Sequence, residues 1–159
     1  MTIKAHRYHD ISVGHRVVGH EGKCRFLHGH NYRIHFTVEA DALDSIGRVM
    51  DFSVIKERLC MWLEKYWDHK FLAWEQDSLI DKLSVAFSGN DLEDVTDSET
   101  FTDSIVWVPF NPTAENMALH LVQVVGPLQL KDTGCVLSKV VIEETRKCSC
   151  SYSIYKDVK

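Results

Sequence analysis

The sequence predicts an α+β fold, a four-stranded antiparallel sheet carrying two helices on one face, in the order strand, strand, helix, insertion, helix, strand, strand. Three patterns predict it. Tyr32, Ile34, Phe36 and Val38 alternate with Arg33, His35, Thr37 and Glu39, the period of two of a strand with one buried face. Ile55, Leu59, Trp62, Leu63 and Tyr66 recur at helical spacing, as do Ala114, Met117, Ala118, Leu121, Val122 and Val125. Each helix therefore has a single apolar stripe, suited to lying on a sheet. At 159 residues, 45% hydrophobic and 26% charged, the chain is the size of one domain with one two-layer core. Positions 1–159 are read as that domain, with an insertion at about 73–108.

In order, Ile3 to Val13 reads as the first strand, and Gly14, Gly19 and Gly22 punctuate the connection to the second, the pair forming a long antiparallel hairpin. Asp41 to Gly47 is a turn. Either Asp51 or Ser53 caps the first helix, and Trp67 to Phe71 closes it. Within Ala73 to Val108, Leu79 to Phe87 reads as a short helix, the acidic run Asp91 to Asp103 as a solvated loop, and Ile105 to Val108 as a short apolar strand. Asn111 as N-cap with Pro112 at the first helical position opens the second helix, and Gly126-Pro127 stops it. Val136, Val140, Ile142 and Glu144 share a face of the next strand, and Cys148, Cys150, Tyr152 and Ile154 share a face of the last. Apolar residues on both strand faces favour assembly with further subunits.

Several classes of function are disfavoured. No apolar run approaches the length of a membrane span, and the N-terminal residues lack the apolar core of a secretory signal. Five cysteines, an odd number at irregular spacing, argue against a disulfide framework and for a reducing, cytoplasmic setting. A net charge of −5 argues against nucleic-acid binding. The acidic run carries more than that whole excess, so the rest of the chain is close to neutral and can build a site for an anionic small molecule.

The chemistry concentrates in Cys24-Arg25-Phe26-Leu27-His28-Gly29-His30-Asn31-Tyr32. His28 and His30 share one face of the second strand. With 9 histidines in the chain, chance supplies roughly half of one such pair, so the surroundings carry the argument. Gly29 lets the backbone approach a bound group, Cys24 is a further ligand or a nucleophile, and His15 has the parity of Ile11 and Val13 on the partner strand. Three histidines converging from two adjacent strands make an open zinc site of the catalytic kind. A closed, non-catalytic site with Cys24 as fourth ligand is the alternative. Asp68 before His69 reads as a relay or as a solvated helix end. Glu144, at the end of an apolar face, stands in water at the sheet margin or holds a ligand.

Taken together and in this order, His15, Cys24-x-x-x-His28-Gly29-His30-Asn31-Tyr32, Val49-Met50-Asp51-Phe52, Asp68-His69, Pro112-Thr113-Ala114-Glu115-Asn116 and Glu144-Thr145 resemble a known family. It is that of the 6-pyruvoyl-tetrahydropterin and 6-carboxytetrahydropterin synthases, and the likeness covers most of the chain outside Ala73 to Val108. It implies the tunnelling fold (ββααββ), with trimers closing into a barrel and two trimers stacking as a hexamer. It also implies zinc on His15, His28 and His30, and Cys24 as proton acceptor served by Asp68 and His69. Glu144 would anchor the pterin ring, with Thr145 beside it, and Thr113 and Glu115 would approach the pterin of a neighbouring subunit. The three residues between Cys24 and His28, and Asp51-Phe52, are similar to the bacterial carboxytetrahydropterin branch rather than the mammalian-type pyruvoyl one. The implied substrate is 7,8-dihydroneopterin triphosphate, with Lys23, Arg25 or Lys70 meeting the triphosphate. The implied pathway is 7-deazaguanine (queuosine) biosynthesis. Departures from the family pattern are Val13-Gly14 before the first ligand and the long insertion, which reshapes the site mouth.

Overall fold

In the computed structural model, which describes residues 3–88 and 95–155, the chain forms a single sheet with its core on one face. The strands are β1 (Lys4–His15), β2 (His28–Ala40), β3 (Lys70–Trp74), β4 (Ile105–Val108), β5 (Cys135–Glu143) and β6 (Ser149–Ser153), in the order β4-β3-β1-β2-β5-β6. The four antiparallel strands expected from sequence are β1, β2, β5 and β6. The sheet nevertheless has six strands, because β3 and β4 add to it in parallel. The edge of β1 left free by the hairpin offers unpaired backbone groups, and the chain leaving the first helix covers them.

Hairpin pairing is continuous from Lys4 opposite Glu39 to His15 opposite His28, so the first strand runs two residues past the expected Val13. Tyr32, Ile34, Phe36 and Val38 are all buried, as their alternation predicts. On β5 the pairing shifts between Thr37 and Val38, a bulge that changes the parity of the strand. Leu137 therefore enters the core in place of the expected Val136, which is 49% exposed.

The first helix, α1, runs through Phe52–Ile55, Lys56–Cys60 and Met61–Tyr66, with a π-helical turn in the middle segment. Of the two candidate caps it is Asp51 that accepts from the Ser53 N–H, at 2.8 Å. Ile55, Leu59 and Leu63 are buried as expected. The wider turn rotates the stripe afterwards, so Trp67 enters the core and Tyr66 is exposed. In the insertion, α2 (Ser78–Ser88) matches the expected short helix. The expected acidic loop is a helix where it is described: Asp97, Glu99 and Asp103 lie on α3 (Val95–Ser104), whose Phe101 stacks on Phe87 with ring centres 4.3 Å apart. Asp91, Glu93 and Asp94 lie outside the described residues.

The last helix, α4, runs through Ala114–His120, Leu121–Val125 and Gly126–Leu130. Thr113, not Asn111, caps it: its hydroxyl accepts from the Asn116 N–H at 3.2 Å, and Pro112 stays outside the helix. Gly126-Pro127 does not end it. The π-helical turn before Pro127 absorbs the missing N–H and the bulk of the ring. Gly126 has a packing role instead, since a Cβ there would lie 2.8 Å from Leu137 Cβ. Both helices bury their stripes on the face that carries Tyr32, Ile34, Val140 and Ile142.

The outward sheet face is polar, with Arg33 clasping Asp10 through two bonds of 2.8 Å, so the expectation of apolar residues on both strand faces does not hold there. Exposed apolar side chains are spread over the surface and include Val124 and Leu128 on α4, Val136 on β5, and Ile154 just beyond β6. Among the described residues no helix is long and apolar enough to cross a membrane.

Candidate metal centre and its neighbouring cavity

Hairpin register builds the site. His15 lies directly opposite His28, and Val13 opposite His30, so the i, i+2 spacing of a strand sets His28, His30 and Tyr32 in one row beside His15. The three imidazoles offer ligand atoms that all lie within 4.8 Å of one another. Gly29, between the two β2 histidines, serves the hairpin itself: a Cβ there would stand 2.9 Å from the Val13 carbonyl oxygen.

The backbone holds the tautomers of two of them. His15 Nδ1 donates to the Pro112 carbonyl at 2.7 Å, and His28 Nδ1 donates to the Phe26 carbonyl at 2.7 Å. Each bond leaves the Nε2 lone pair pointing inward, and the two Nε2 atoms are 3.1 Å apart. Two lone pairs at that distance repel, and His30 Nε2 is buried with no hydrogen-bond partner. Burial holds the His15 ring below its usual pKa, against the Pro112 bond that raises it, and burial lowers His30 likewise. Neutral imidazoles converging on one point, with His15 and His28 fixed by bonds behind them, are what a divalent cation requires. The donor set therefore fits a zinc ion.

Glu144, one residue beyond β5, borders this cluster. Its Oε1 is 3.8 Å from His15 Nε2 and 3.6 Å from His30 Nε2, and it accepts from the Tyr32 hydroxyl at 3.3 Å. Burial, then the nearby Glu144 charge, push Tyr32 far above the usual phenol pKa, so it acts as a neutral donor. Glu144 thus stands partly exposed at the end of the sheet face, within reach of the imidazole cluster.

A cavity of about 300 Å³ adjoins Glu144, lined also by Cys24, Thr113, Glu115, Cys148 and Cys150. Four of the predicted site residues therefore meet in one place. Burial, and the carboxylates of Glu115 and Glu144, push the Cys150 thiol up to about 11. Thr145 turns elsewhere: its hydroxyl accepts from the N–H groups of Lys147 and Cys148, both at 3.1 Å, and shapes the turn before β6.

Asp68 and His69 form the expected pair, with Oδ2 and Nδ1 2.6 Å apart. Asp68 Oδ1 accepts from the Ser12 N–H at 2.8 Å, while His69 N–H donates to the Ser12 carbonyl at 2.8 Å. Burial raises the Asp68 carboxyl, but the bonds from Ser12 and His69 outweigh it and leave the group below its ordinary value. His69 adopts a left-handed φ of 55° and exposes 81% of its side chain. It opens onto clefts lined by Ser12, Asn31 and Lys70 and by Asp10 and Arg33, neither of which includes Cys24. Within one chain the dyad and the thiol line different clefts, and Glu144 borders both. Of the three basic candidates, Arg25 donates to the carbonyls of Glu21 and Gly22, and Lys70 donates to the Asp103 carbonyl. Lys23 is exposed and makes no ion pair among the described residues.

Reading the sequence counted Tyr32 as core and missed its hydroxyl, although its parity with His28 and His30 carried the signal. Cys148 and Cys150 were placed on a strand, and their approach to Cys24 depends on how the last hairpin folds back. The backbone carbonyls that orient the ligands have no side-chain signature.

Residues 4–154 match the family model for 6-pyruvoyl tetrahydropterin synthase. A 6-carboxy-5,6,7,8-tetrahydropterin synthase of Rickettsia typhi is 34% identical over 146 residues, spanning 92% of this chain and 96% of that protein. An uncharacterised protein of Wolinella succinogenes superposes with a TM-score of 0.84 at 22% identity, over 98% of this chain and 99% of that one. The 6-pyruvoyl tetrahydropterin synthase of Caenorhabditis elegans superposes with a TM-score of 0.63 at 22% identity, over 96% of each chain. At these identities the two structures are likenesses of fold.

Proposed function

The chain belongs to the 6-pyruvoyl tetrahydropterin synthase family of lyase-type enzymes, and from that premise we propose that it is a zinc-dependent 6-carboxy-5,6,7,8-tetrahydropterin synthase. In this reading it converts 7,8-dihydroneopterin triphosphate and water to 6-carboxytetrahydropterin, acetaldehyde and triphosphate, in the cytoplasm, for 7-deazaguanine (queuosine) biosynthesis. The observation that carries the reading is the cluster of inward-facing imidazoles beside a cavity that also holds Cys24 and Glu144. Relatives that carry the 6-carboxy name across nearly the whole chain support the carboxy-forming branch.

His15, His28 and His30 would hold the zinc ion. When bound, it supplies positive charge beside the substrate's hydroxylated side chain and acidifies the C–H groups there. Cys24 accepts the proton as the general base. Asp68 holds His69 in one tautomer. His69 and Cys24 of one chain line different clefts, so the dyad serves Cys24 of a second copy, as a barrel-forming trimer and a hexamer would allow. Glu144 accepts from the pterin's 2-amino group and ring N–H, while Tyr32 holds its other lone pairs. Thr113 and Glu115 shape the pterin's surroundings, Thr145 holds the turn that follows Glu144, and Lys23, uncommitted among the three basic candidates, meets the triphosphate.

The test is incubation of purified protein with 7,8-dihydroneopterin triphosphate, trapping acetaldehyde and identifying the pterin by mass. A product that retains a pyruvoyl side chain would overturn the carboxy assignment. The Cys24→Ala protein is expected to keep its metal and lose turnover; metal loss would instead favour a closed site with Cys24 as ligand.

A further inference from the structure

Cys24 sits on the loop between β1 and β2, in a single 3-10 turn over Lys23–Arg25 that buries none of its residues. So short a turn has no packing of its own to hold a thiol in place. Two bonds hold it from outside: the Val17 N–H donates to the Cys24 carbonyl at 2.8 Å, and Arg16 Nη1 donates to the Arg25 carbonyl at 3.0 Å.

Arg16 is itself gripped in fork geometry by Asp77, with Nε 2.6 Å from Oδ2 and Nη2 2.8 Å from Oδ1. Asp77 lies just beyond β3 and is 1% exposed. Its Oδ1 also accepts from the N–H groups of Leu79 and Ile80, at 3.0 and 3.4 Å, at the head of α2. The carboxylate is thus fixed from two sides, and its free reach ends on one guanidinium. That guanidinium spans the gap from the insertion to the residue next to Cys24.

We propose that Asp77 is a positioning residue for Cys24, acting through Arg16 to hold the Lys23–Arg25 turn so that the thiol stays at the cavity. The inference rests on Cys24 being the proton acceptor. A proton acceptor works only within hydrogen-bond reach of its proton. Removing the Asp77 charge leaves a half-buried guanidinium unpaired. It then turns to water, and the Arg25 carbonyl loses its donor.

Two variants separate positioning from plain support of the fold. Asp77→Asn keeps a residue that caps α2 but loses the charge pair. Arg16→Lys keeps the charge but is unable to span Asp77 and the Arg25 carbonyl at once. Steady-state kinetics on 7,8-dihydroneopterin triphosphate, run well below each protein's Tm and with metal content measured, should show kcat down by about 10- to 100-fold in both, with KM within about twofold. The double variant should be no slower than the slower single one, because both break one chain of contacts. Wild-type kcat in the two variants, with Cys24→Ala inactive, overturns this inference alone. So does a loss of kcat that vanishes once the assay is cooled further below Tm. Full turnover in Cys24→Ala overturns the role of Cys24 and this inference with it.

Discussion

Between His15 and His28 the two Nε2 atoms lie 3.1 Å apart, each with its proton placed on the far nitrogen by a backbone carbonyl. If His15, His28 and His30 hold the metal, losing one imidazole removes a ligand without touching the core, so His28→Ala should purify folded and without its full complement of metal. Metal analysis beside circular dichroism checks this. Tyr32 makes a finer case. Its ring is fully buried, and its hydroxyl donates to Glu144. Tyr32→Phe keeps the packing, so the protein should retain its metal and lose turnover by about 10- to 100-fold, the usual effect of removing a group that orients a ligand-site residue. Unchanged kcat would show that Glu144 needs no such support. The thiols divide by environment. Cys148 is exposed, whereas burial and two carboxylates push Cys150 up to about 11. Iodoacetamide near pH 8 should therefore label Cys148 well before Cys150, as read by peptide mass spectrometry.

At the scale of elements, the two π-helical turns and the β5 bulge decide which residues face inward. α4 lies so close to β5 that Gly126 has no room for a methyl group against Leu137. Gly126→Ala should cost about 1–3 kcal/mol through overpacking, seen as a lower Tm; an unchanged Tm would mean that the helix shifts freely. The head of α2 gives a pH-dependent counterpart. Burial raises the Asp77 carboxyl, but Arg16 and the helix N–H groups outweigh it and keep it ionised in the folded chain. Its folded pKa lies below the unfolded value of about 3.9, so its contribution is complete above about pH 4. It is lost as pH falls through the folded value, where the unfolded chain binds the proton that the folded one refuses. Asp77→Asn should flatten the acid side of a plot of Tm against pH, and identical acid slopes would refute the assignment.

For the whole molecule, the relevant fact is that Cys24 and His69 open onto different clefts. If the dyad of one copy serves the thiol of another, two inactive proteins should complement. Mixing Cys24→Ala with His69→Ala under conditions that exchange subunits should restore part of the turnover, since some sites then combine an intact thiol with an intact dyad. No recovery would place the whole reaction within one chain. Leu128, 63% exposed on α4, is one apolar side chain that such an assembly could cover. Leu128→Asp should then lower the mass found by light scattering and reduce turnover in parallel.

Periodicity located four of the six strands, the two stripe-bearing helices and the shared face of His28 and His30, because each follows from local geometry repeated along the chain. A period of two puts His28 and His30 on one side, and hairpin pairing brings His15 opposite. Local pattern carries no account of an added residue, so the π-helical turns and the bulge moved Trp67 and Leu137 into places assigned to Tyr66 and Val136. Nor does it reveal a strand that joins a free edge, as β3 does beside β1. Only the tertiary structure decided that Glu144 borders the imidazoles, that Cys24 shares its cavity with Cys150, and that Asp77 reaches the Cys24 loop through Arg16. Those are contacts between segments far apart in the chain, and their geometry exists only once the core has packed.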